Sequence, residues 1–117
     1  MTLDTFSLAG SVALITGGSR GIGEAIAVAM ANAGADVVPV ARSEAALRDT
    51  VERIRDNGGT AVHCIADVTS LPEIEAAFDH AEAELGDVVL LVNNAGTNPF
   101  FGDARTLDMA TWQQIME

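Results

Sequence analysis

The sequence has 117 residues, 49% hydrophobic and 20% charged, a size and balance that fit one folded domain over residues 1–117 and exclude a disordered tail. Seventeen acidic against six basic side chains give a formal net charge of −11, which disfavours nonspecific nucleic-acid binding and anionic membrane surfaces. All six basic residues are Arg, and Lys and Tyr are both absent, so a mechanism that needs a tyrosine acid or a lysine partner cannot run on these residues alone. The single cysteine, Cys64, excludes an internal disulfide, is too few for a Cys-based metal site and fits a reducing cytoplasm. No apolar stretch approaches the ~20 residues that span a bilayer, and the first residues carry Asp4 instead of a positive cluster, so neither a membrane segment nor an export signal is expected. The acidic, Lys-free composition suits a salt-rich habitat as well as an ordinary acidic enzyme.

The first apolar run, Val12–Thr16, ends in a glycine cluster and reads as a buried strand. Ile22, Ile26, Met30 and Ala33 follow at helical spacing, with Gly34 as the stop. Asp36–Ala41 is a second apolar strand interrupted by Pro39, which must sit where its missing N–H is harmless. Ser43 is placed to cap a second helix whose apolar face is Leu47, Val51 and Ile54, ending at Asn57 and Gly58. A third short strand spans 61–65. Ser70 and Glu73 have the spacing of a capping box at the head of a third helix, with Ile74, Phe78, Ala81 and Leu85 on one face and Gly86 at its end. The run 88–92 is the most hydrophobic of all and reads as a fourth buried strand, 93–107 reads as a loop, and Asp108 opens a further helix. Alternation of strand and helix predicts an α/β fold, a Rossmann-type doubly wound parallel sheet in the order 3-2-1-4 with helices on both faces. A ligand is then expected between the first and fourth strands, at their carboxyl ends, and the fourth strand is expected to be an uncovered edge that favours aggregation or a partner.

At the carboxyl end of the first strand stand Thr16, Gly17, Gly18, Ser19, Arg20, Gly21, Ile22 and Gly23. Glycines let the backbone turn sharply and approach a pyrophosphate, while the following helix offers free N–H groups and the positive end of its dipole. The ATP-type phosphate loop is excluded, because that motif ends in Lys-Ser or Lys-Thr. An Asp or Glu about 20 residues after the glycines would hold a ribose 2′-hydroxyl, but Ala41 and Arg42 close the second strand instead. Arg42, with Arg20, is suited to a 2′-phosphate, so NADP(H) is preferred over NAD(H). Elsewhere, His63 and Cys64 lack the companions of a metal site, Asp79 and His80 belong to a charged helix face, and Trp112 and Met116 have the spacing of packing groups.

The spacing Thr-Gly-x3-Gly-x-Gly, with Asp67 and Val68 after the third strand and Asn93, Asn94, Ala95 and Gly96 after the fourth, resembles the short-chain dehydrogenase/reductase family. The resemblance runs from about Leu8 to the last residue and corresponds to the N-terminal half of a member; the segment 98–102 (NPFFG) is similar to the carbonyl-reductase and retinol-dehydrogenase-like branch. It implies that Gly17, Ser19, Arg20, Gly21, Ile22 and Gly23 form the pyrophosphate turn with Thr16 fixing it. Asp67 would accept from the adenine amino group beside a backbone contact from Val68, and Asn94, Ala95 and Gly96 would border the nicotinamide ribose. Asn93 is expected to tie the fourth strand to its neighbours. The family's Tyr-x3-Lys pair, Ser and Asn, which assist hydride transfer between nicotinamide and a carbonyl or alcohol, have no counterpart here, so no catalytic residue is nominated. The resemblance thus implies the cofactor half of an oxidoreductase whose complete form acts on a small-molecule carbonyl or alcohol and forms a homo-oligomer. A non-catalytic dinucleotide-binding module that pairs with another chain stands as the alternative.

Overall fold

Val12–Thr16 forms β1, and all five of its residues are buried, as a strand covered on both faces requires. The structure, a computed structural model, describes residues 7–17, 21–93 and 100–103, the last as backbone. β2 (Asp36–Ala41) lies parallel to β1 on one side, and β5 (Val88–Asn93) lies parallel to it on the other. β3 (Thr60–Ala61) and β4 (Cys64–Ile65) both pair with β2, and β6 (Phe100–Asp103) pairs antiparallel with β5. The order β3-β2-β1-β5-β6 contains the expected doubly wound 3-2-1-4 arrangement of parallel strands.

Alternate residues of the central strands feed two cores. Val12, Leu14, Val38, Val40 and Leu91 pack against Ile74, Ala77 and Ala81 of α3 (Leu71–Leu85). Ala13, Ile15, Val37 and Val92 pack against Ala27 and Ala31 of α1 (Gly21–Asn32) and Val51 and Ile54 of α2 (Glu44–Asp56). Both faces of the sheet are therefore closed by side chains that burial of apolar area holds in place. Ser43 caps α2 as expected, its Oγ accepting from the Ala46 N–H at 3.4 Å. Glu24 joins the two helices on its face, accepting from the Thr50 hydroxyl at 3.0 Å and pairing with Arg53 at 3.2 Å.

Four sequence expectations are corrected, in whole or in part. The face read from Ile22, Ile26, Met30 and Ala33 is met in part: Ile26 and Met30 pack against the core beside the buried line of Gly23, Ala27 and Ala31, whose small side chains let the helix lie close on the sheet, while Ile22 is left 72% exposed. The capping box at α3 does not form: the Ser70 side chain makes no cap hydrogen bond, and Glu73 reaches past it to the Asp67 N–H at 3.0 Å. The predicted strand 61–65 is broken into β3 and β4, each two residues long. The Val37 and Ala41 carbonyls accept from Val62 at 3.1 Å and Ala66 at 2.9 Å, so by the two-residue period Pro39 turns its nitrogen to the same outer side, and the missing donor falls where the ladder opens. Finally, 93–107 is not all loop and β5 is not an uncovered edge, because β6 pairs with it from Asn93↔Phe100 to Leu90↔Asp103. The helix expected from Asp108 lies outside the described residues.

Candidate nucleotide-binding crevice

The topological switch point lies at the carboxyl ends of β1 and β5, whose connecting helices, α1 and α3, pack on opposite faces of the sheet. Gly17 has φ +67° and Gly21 φ +54°, in the left-handed region that costs other L-residues roughly 1–2 kcal/mol. A Cβ on Gly21 would meet nothing within 4 Å, so glycine is demanded there by the backbone angle and not by lack of room. The Gly17 N–H donates to the Val40 carbonyl at 2.8 Å, which fixes the turn to the end of β2. Beneath it, the Thr16 hydroxyl donates to Asn93 Oδ1 at 2.7 Å, with both residues fully buried. That bond links the ends of β1 and β5, which are already paired through the backbone, so Thr16 acts from behind the turn. Gly21 and Ile22 are the first residues of α1, whose amino end supplies unpaired N–H groups and partial positive charge.

A second turn lies at the same carboxyl edge of the sheet, on the outer side of β2. The Ala66 N–H bonds the Ala41 carbonyl at 2.9 Å, and this link brings together the two residues that follow, Arg42 and Asp67. Arg42 is exposed. Asp67 Oδ1 accepts from the Thr69 hydroxyl at 2.7 Å and the Thr69 N–H at 2.9 Å. The Thr69 hydroxyl and then its amide hold the Asp67 carboxyl below its ordinary value, and the Arg42 charge lowers it further. Val68 is partly buried against the α3 core, and no hydrogen bond among the described residues uses its amide. Sequence reading placed Asp67 and Val68 but missed Thr69 and Glu73 as their supports; the signal was the Asp-x-Thr spacing, which favours an aspartate-closed turn.

The remaining expected positions are not all in view. Ser19, Arg20, Asn94, Ala95 and Gly96 lie outside the described residues, as do Trp112 and Met116. His63 and Cys64 line a separate cleft of about 410 Å³ at the outer edge, with Ile65, Glu73, Ala76 and His80; burial raises the Cys64 thiol above its ordinary value. Among the described residues no group of three His, Cys, Asp or Glu side chains is placed to hold a metal ion, and no helix is long and apolar enough to cross a membrane.

The crevice chemistry matches what a dinucleotide needs: glycine amides at a helix head for the diphosphate, a cation beside a carboxylate, and an open amide next to that carboxylate for a base. The short chain dehydrogenase family profile matches residues 11–117. A short chain dehydrogenase of Pseudocercospora fijiensis is 38% identical over 94% of this chain and 36% of its own length. The 7alpha-hydroxysteroid dehydrogenase of Escherichia coli K12 is 44% identical over 80% of this chain and 36% of that protein. Among solved structures, a hydroxysteroid dehydrogenase from Escherichia coli superimposes with a TM-score of 0.78 at 42% identity, covering 83% of this chain and 41% of its own. A short-chain type dehydrogenase/reductase from Mycobacterium marinum gives 0.77 at 36% identity over 98% and 47%. The chain thus spans about a third of the length of these curated relatives.

Proposed function

From the premise that the chain belongs to the short-chain dehydrogenase family of oxidoreductases, we propose that residues 1–117 form the NADP(H)-binding part of an enzyme that moves hydride between that cofactor and a small carbonyl or alcohol substrate. The observation that carries the reading is the pair of turns: left-handed glycines at the head of α1, and Arg42 set beside Asp67 where an NAD-type site would carry an acidic residue at the end of β2. When bound, the nicotinamide supplies or takes up the hydride. Amides of the turn formed by Gly17, Ser19, Arg20, Gly21, Ile22 and Gly23 hold the pyrophosphate, with Thr16 bracing the turn through Asn93. Arg42 grips the 2′-phosphate with charge-assisted, bidentate hydrogen bonds. Asp67 accepts from the adenine amino group, the Val68 amide donates to the ring, and Asn94, Ala95 and Gly96 border the nicotinamide ribose.

No residue of this stretch is assigned to proton transfer, since it holds neither Tyr nor Lys; the complete form, a cytoplasmic homo-oligomer in this reading, supplies that chemistry. The test is titration of the chain with NADPH and NADH by fluorescence or calorimetry. NADPH is expected to bind at least about tenfold more tightly, roughly 1.4 kcal/mol, and Arg42→Asp to narrow or reverse the gap. Equal affinities in the wild type would defeat the assignment.

A further inference from the structure

We infer that Thr69 and Glu73 are positioning residues that make the Asp67–Val68 turn selective for adenine over a 6-oxopurine. The inference rests on the dinucleotide reading above and adds the devices that hold its base-recognition turn. Asp67 has four polar atoms in play, and among the described residues all but one have a partner. Oδ1 takes both Thr69 donors, at 2.7 and 2.9 Å. The main-chain N–H goes to Glu73 Oε1 at 3.0 Å, and the main-chain carbonyl accepts from the Ser70 N–H at 2.9 Å. Oδ2 is left as the acceptor, next to the Val68 amide as the donor.

That residual pair has a fixed polarity. Adenine offers the N6 amino group as donor beside N1 as acceptor, which complements a carboxylate oxygen beside an N–H. Hypoxanthine offers O6 as acceptor beside N1–H as donor, which sets acceptor against acceptor and donor against donor. A free carboxylate would rotate and blunt that discrimination. Two donors on one oxygen hold its plane, and Glu73 holds the main chain from which it projects. Glu73 leaves the capping position that its spacing from Ser70 would ordinarily fill, so its carboxylate serves the turn and not the helix end.

The experiment titrates wild type, Thr69→Val, Thr69→Ser and Glu73→Ala with NADPH and with its hypoxanthine analogue, with circular dichroism to verify folding. Wild type is expected to prefer the adenine form by roughly tenfold, the scale of one net hydrogen bond gained against one mispaired. Thr69→Val should cut that preference to roughly a third or less and Thr69→Ser should restore it, while Glu73→Ala falls in between. A merely structural Thr69 would alter stability and leave the ratio of the two affinities unchanged; that result overturns the inference alone. If wild type binds both bases equally, the adenine role of Asp67 falls and the inference with it; if it binds neither ligand, the dinucleotide reading itself is overturned. Should Thr69→Val lose its folded signature, Thr69→Ala and Glu73→Ala decide the matter by the same ratio.

Discussion

The glycine turn after β1 and the Asp67 turn after β4 lie at one edge of the sheet and are held by opposite means. The first is a main-chain device: Gly17 and Gly21 adopt angles that other residues resist, and the direction of its amides follows from the backbone. The second is a side-chain device, in which a carboxylate is aimed by the hydroxyl and amide of Thr69 and its backbone is steadied by Glu73. In the proposed site, phosphate binding would be disturbed chiefly by changing a backbone angle, whereas base binding would be loosened by deleting one oxygen atom.

The largest expected effect removes what the two turns share. Leu14 is fully buried in β1 between β2 and β5, and Leu14→Ala should cost about 2–5 kcal/mol in urea unfolding, weakening both turns together. A loss below about 1 kcal/mol would mean that the central strand does not support them jointly. Next, Gly21→Ala separates them. A Cβ there meets nothing within 4 Å, so the fold should lose only about 1–2 kcal/mol, yet the Kd for NADPH should rise about tenfold, ~1.4 kcal/mol, with the preference for adenine intact. Wild-type affinity in that variant would remove the glycine turn from the binding site.

The smallest effect belongs to the second turn and to pH. Hydrogen bonds from Thr69, and then the Arg42 charge, depress the Asp67 carboxyl in the folded state. Such a group adds stability above its unfolded pKa, and that stability is lost as pH falls through its folded pKa. Thr69→Val should therefore lower Tm slightly at neutral pH and converge on wild type as the pH is lowered through the aspartate range. Parallel Tm curves would detach Thr69 from the titration of Asp67.

The sequence made the central architecture legible because its signals were local and redundant. Leu47, Val51 and Ile54 lie on one buried face behind a Ser43 cap, and Val12–Thr16 is a continuous apolar run that only a buried strand accommodates. What escaped was settled by competition between neighbours. Glu73 could satisfy either the start of α3 or the Asp67 amide, and the tertiary position of the turn decided for the latter. The innermost line of α1, Gly23, Ala27 and Ala31, does not stand out beside Ile26 and Met30, which pack at its edge, although smallness is what close packing on a sheet requires. β6 was missed because the pairing of 100–103 with β5 is a nonlocal contact in a segment whose Pro99 and Gly102 read as loop. At the site, the glycines could be named from spacing and Asp67 from the family resemblance, while the orientation of the Asp67 carboxylate depends on distances that neither contains.

The nitrogen that Pro39 cannot offer has an effect one strand away. By opening the ladder beyond β2, it leaves the outer rim of the sheet as two fragments of two residues each, β3 and β4. An extended segment from a second molecule adds to a sheet by matching a straight, regular row of amides and carbonyls, and this rim does not present one. A residue that looks like a flaw in an inner strand thus protects the molecule's flank from templating its neighbours.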